Sequence, residues 1–116
     1  MNNLGAIKSR YLEDEISIRL GGLATNLSRI KSFSGQDANQ SAVAGLIDES
    51  KYFIEWTAAE LDILVAEELV LLQVLLARWR YSWEATWADK TKRKNLAEEA
   101  GNWSVRVLEL SGLVRA

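Results

Sequence analysis

From Thr57 to Ala88 the chain reads TAAELDILVAEELVLLQVLLARWRYSWEATWA, without Gly or Pro and rich in Leu, Ala, Glu and Arg. Such residues lose little side-chain freedom in a helix. The stretch therefore predicts one continuous helix, roughly 45 Å long at 1.5 Å per residue. Thr57 followed by Glu60 has the spacing of a capping box, and Trp56 and Leu61 stand where a hydrophobic staple needs them. At 100° per residue, Leu61, Val65, Leu69, Leu72, Leu76, Trp79 and Trp83 share one wide face, with Leu64, Leu71 and Leu75 at its edge. A second apolar stripe lies almost opposite: Ile63, Val70, Val74 and Tyr81, beside Ala59 and Ala77.

A helix apolar on two sides must be covered on two sides. Three partner helices from a chain this short can cover the wide face. The second stripe is then expected to meet another copy of the chain, giving a homodimer. Charge supports the same reading. Asp48 to Glu68 holds seven acids against Lys51 alone, while Arg78 to Lys94 holds six bases against Glu84 and Asp89. Part of that segregation suits the helix macrodipole; antiparallel self-pairing, acidic half against basic half, would use it further.

Working outward, residues 3–32 predict a long first helix, with Leu12, Ile16, Leu20, Leu23, Leu27 and Ile30 as its packing seam. Because the seam keeps its register across Gly21-Gly22, the helix is expected to run through them. Gly35 ends it, and Asp37 or Ser41 can cap a second helix over 38–55 with Val43, Leu46, Ile47, Phe53 and Ile54 inward. Tyr52 and Trp56 point away from that seam and join the candidate partner surface. Asp89 or Thr91 can cap a last helix packed through Leu96, Ala100, Trp103, Val107 and Leu110. Gly112 stops it, with Leu113 and Val114 extending the apolar contact. The expected fold is all-α, a single-domain, four-helix, mostly antiparallel bundle with long first and third helices.

The 116 residues, 48% apolar and 26% charged with a net charge of −2, are ordinary for a globular domain. Neither an apolar leader nor an apolar run long enough to span a bilayer is seen, so a cytoplasmic protein without membrane contact is expected. The chain has no His and no Cys. That removes Ser-His and Cys-His nucleophiles, disulfides, thiolate sites and the Glu-x-x-His pairs of di-metal bundles. No phosphate-binding glycine motif is present either. A non-enzymatic interaction or adaptor protein is therefore expected, with no catalytic residues, no cofactor and no metal.

Three features offer alternatives. Glu68 falls within the wide apolar face, where a buried carboxylate needs a cation such as Arg19 or Arg29, or becomes a raised-pKa acid or metal ligand beside Glu67, Glu15 or Glu99, unless it takes an edge position and reaches water. The basic and aromatic segment 78–94 has the mixture that binds nucleic acid, though Trp79, Trp83 and Trp87 step by four and share the inward side. Those tryptophans can also wall a pocket for a small apolar ligand.

Overall fold

The computed structural model describes residues 3–113, which are helical with no strand among them. Six helices follow in order: α1 (Leu4–Glu13), α2 (Ile16–Phe33), α3 (Gln40–Thr57), α4 (Ile63–Tyr81), α5 (Trp83–Ala88) and α6 (Lys90–Ser111). Short 3-10 turns occupy Asp37–Asn39 and Ala58–Glu60. Six helices rather than four is the main correction to the sequence reading. It arises from breaks in both of the long helices.

The first helix does run through Gly21-Gly22, but it is cut earlier, at Asp14-Glu15, where the backbone turns extended. Glu13, Asp14 and Glu15 are three acids in a row. Ahead of α2 they suit the positive end of its dipole, whereas Glu13 and Asp14 close α1 against its own dipole, so the corner needs a further tie. Arg19 fastens the corner. Its side chain donates to the carbonyls of Asp14 (2.9 Å) and Leu12 (3.1 Å) and to Glu60 (2.7 Å). The Tyr11 hydroxyl donates to the Arg19 carbonyl at 2.9 Å, and burial pushes that phenol up to about 12. Gly21 has a packing reason: a Cβ there would stand 2.8 Å from Leu113 Cδ1. Val114 lies outside the described residues.

The central stretch is cut twice. Thr57 is the buried last residue of α3, not a cap, and its hydroxyl reaches Tyr11 Oη at 3.5 Å. The helix restarts after Asp62, whose carboxylate accepts from Leu64 N at 2.9 Å. The Thr57/Glu60 capping box therefore does not form, and Glu60 serves Arg19 instead. Ser82 interrupts the helix again and turns α5 against α6. Asp89 then caps α6 through Thr91 N and Lys92 N, and Gly112 closes it at φ 76°, a left-handed conformation that glycine adopts without strain.

Cross-contacts give the pairing. Asn26 to Glu49 and Arg19 to Glu60 join α2 to α3 and the turn that follows it. Asp48 to Arg80 and Lys51 to Gln73 join α3 to α4. Ser104 donates to the Ala24 carbonyl at 2.7 Å, and Gly101 lies against Lys31, joining α6 to α2. In each pair one chain direction rises as the other falls, so neighbours are antiparallel. The core between them holds Leu23, Leu27, Ile30, Val43, Ile47, Ile54, Leu69, Leu72, Leu76, Leu96 and Val107. The molecule measures 38 × 37 × 20 Å, about two helix diameters thick, so the helices keep outward faces.

Trp79, Trp83 and Trp87 are all buried and belong to this core. Trp87 Nε1 donates to the Asp37 carbonyl at 3.2 Å, under the Arg93 guanidinium, which pairs with the Asp37 carboxylate at 2.7 Å. Trp83 Nε1, among the described residues, is buried with no acceptor. Replacement by Phe should separate the two. Trp87→Phe removes a formed hydrogen bond and is expected to cost about 1 kcal/mol more than Trp83→Phe, which removes a donor already without a partner. Denaturant midpoints of the two variants check this; equal losses, or a larger loss at Trp83, contradict it.

Candidate functional site

α4 is held from its two sides, and what lies between is bare. On one flank Arg80 pairs with Asp48 (2.8 Å) and Gln73 donates to the Lys51 carbonyl (3.2 Å), both on α3. On the other flank Glu68 meets Arg106 of α6. Leu69, Leu72, Leu76 and Trp79 fill the buried side. The remaining sector faces outward with Ile63 69%, Leu64 69%, Val70 48%, Leu71 65%, Val74 48% and Tyr81 91% exposed. Single exposed apolar residues are normal; a contiguous patch of several hundred Å² on a soluble protein marks an interaction site. Six large apolar side chains lie along this one helix, about 27 Å from first to last.

The stripe of Ile63, Val70, Val74 and Tyr81 thus lies where the periodicity places it. Leu64 and Leu71 were expected at the edge of the buried face and lie outside it, which makes the bare face wider. Tyr52 is exposed in a groove with Asp48, Lys51, Glu55 and Gln73, between α3 and α4. Trp56 is half-buried instead. It packs against Tyr52, Phe53 and Tyr11, with Tyr52 stacked on it at a centroid distance of 5.5 Å. Among the described residues, the charged side chains on the bare sector are Glu67 and Arg78, and neither has an ion-pair or hydrogen-bond partner.

Glu68 takes the edge position and not the buried one. It sits at the edge of the apolar face, partly exposed, and accepts two 2.8 Å hydrogen bonds from Arg106, not from Arg19 or Arg29. Those hydrogen bonds hold its carboxyl below the ordinary value of 4.5, the opposite of a raised-pKa acid. No group of three or more metal-ligating side chains occurs among the described residues. The pair makes a pH prediction. A carboxyl with a lower pKa folded than unfolded binds fewer protons in the native state, so its contribution is present above about 4.5 and is lost as pH falls through the lower folded value. Near neutral pH the wild type should be more stable than Glu68→Gln. Denaturation midpoints of the two should converge in acid; a gap that stays constant with pH contradicts the pairing.

The 78–94 segment covers the end of α4, α5 and the start of α6. Its tryptophan rings are buried, so they are not stacking platforms. Arg80 and Arg93 are occupied by Asp48 and Asp37. Exposed bases remain at Arg78, Lys90, Lys92 and Lys94. No described helix is long and apolar enough to cross a membrane. Compared with known proteins, the chain matches no family model, no curated protein and no solved structure.

Proposed function

We infer that the protein is a non-enzymatic interaction or adaptor protein that self-associates, and that the bare face of α4 is its partner surface. In this reading α2, α3, α4 and α6 act as an antiparallel four-helix scaffold, with α1 and α5 as short additions. The observation that carries it is the exposure of six large apolar residues on the helix that also supplies Leu69, Leu72, Leu76 and Trp79 to the core. A helix apolar all round is stable in water only when both sides are covered. The absence of His and Cys from the sequence supports the non-enzymatic part.

Hydroxyl-radical footprinting of the native chain at low and high concentration tests the surface. Ile18 on α2 is 48% exposed, as are Val70 and Val74. At high concentration Val70, Val74 and Leu71 should become protected while Ile18 stays reactive. Equal reactivity of all four at every concentration would remove the support for α4 as a self-association surface.

A further inference from the structure

Resting on that reading of α4, we propose that the occupant of its bare face is a second copy of the chain, packed antiparallel in one register set by Glu67 and Arg78. These two charges stand on an otherwise apolar sector, have opposite signs, and find no partner among the described residues. They are separated by three helical turns, about 16 Å, and differ by only about 20° around the helix axis. A surface carrying one charge of each sign on a line is complementary to its own image turned by a twofold rotation. Such isologous contacts are how most homodimers form.

The twofold axis then passes midway between the two charges, beside Leu72 and Gln73. Glu67 faces the partner's Arg78, and the same pair repeats across the axis. Leu71 faces the partner's Val74, and Leu64 faces the partner's Tyr81, so these four exposed apolar residues meet one another. A parallel pairing would instead set Glu67 against its own copy, and like charges brought together at an interface are strongly disfavoured. The wider charge pattern points the same way: antiparallel packing lays the acidic 48–68 half beside the basic 78–94 half, and opposes the two α4 dipoles. A lipid surface or an uncharged groove would leave Glu67 and Arg78 desolvated without partners, which is costly.

Because the native chain has no cysteine, single-cysteine variants report the register without background. Oxidised at a concentration where the chain associates, Leu71→Cys should link to itself, since it lies near the axis. Leu64→Cys alone and Tyr81→Cys alone should not link. Mixed and allowed to exchange, these two should link to each other. Charge reversal gives a second readout: Glu67→Arg or Arg78→Glu should each weaken the dimer by about tenfold, and the double variant should recover most of that loss.

Leu64→Cys linking to itself, or a double reversal no stronger than the single ones, overturns the register and leaves self-association standing. A chain that remains monomeric up to millimolar concentration overturns both. Self-linking only at Leu71, cross-linking only between Leu64→Cys and Tyr81→Cys, and charge rescue together establish it.

Discussion

Val70→Glu combined with Val74→Glu is expected to give a folded monomer. Both side chains are half-exposed in the isolated chain, and substitutions at such positions change stability by about 0.5 kcal/mol or less. In the dimer the same two positions lie against the partner, and both carboxylates would be desolvated there, with only the one at 74 having a cation, Arg78, a turn away. That costs several kcal/mol per group, so the dissociation constant should rise by at least about a thousandfold. Light scattering checks the mass, and far-UV circular dichroism checks that the helices persist. A double variant that stays dimeric places the interface elsewhere; one that unfolds shows that α4 is covered by its own chain.

Arg19→Ala is expected to damage the fold as much as truncating a buried core residue. The side chain is 8% exposed and donates along three directions, to the carbonyls of Leu12 and Asp14 and to Glu60. Truncation leaves the carbonyls of Leu12 and Asp14 without that donor and unties α1 from the start of α2. A loss of about 3 kcal/mol follows, lowering the thermal midpoint by about 10 °C. Glu60→Ala should cost only about 1 kcal/mol, because Glu60 is half-exposed and its loss leaves Arg19 two of three acceptors. Arg19→Lys keeps a charge but not the planar fork, and should recover less than half of the loss. An Arg19→Ala variant within 1 kcal/mol of wild type would mean that the Asp14-Glu15 corner holds itself.

How much of this was legible in the chain depends on whether a local signal competes with anything. The inward residues of α3 and α6 repeat at helical spacing with polar residues between them, and Val43, Ile47, Ile54, Leu96, Ala100 and Val107 are buried as that spacing predicts. Asp89 and Gly112 act as cap and stop for the same local reasons. α4 is different. Its apolar residues go nearly all the way round, so periodicity barely defines which arc faces in. That is why periodicity puts Leu64 and Leu71 at the buried edge and Glu68 among leucines. What fixes its rotation is Arg106, far along the chain, together with Asp48 and Lys51 on α3.

The breaks were missed for a related reason. Thr57 with Glu60 has the capping-box spacing, but Glu60 is taken by Arg19, and Asp62 caps the helix five residues later. At Asp14-Glu15 the acids suit the N-terminus of α2 but oppose the end of α1, so charge alone does not mark the corner that Arg19 fastens. Ser82 carries only the weak helix preference of a side chain that can bond its own backbone, and the turn there is set by α5 packing on α6.

The mass of the native chain in solution bears most directly on whether α4 is covered by a second copy. Light scattering across a dilution series should give twice the 13.0 kDa of the chain at high concentration, falling towards the single-chain mass as the protein is diluted. A mass of one chain at every concentration, with Ile63, Val70 and Tyr81 still open to solvent, would contradict the account.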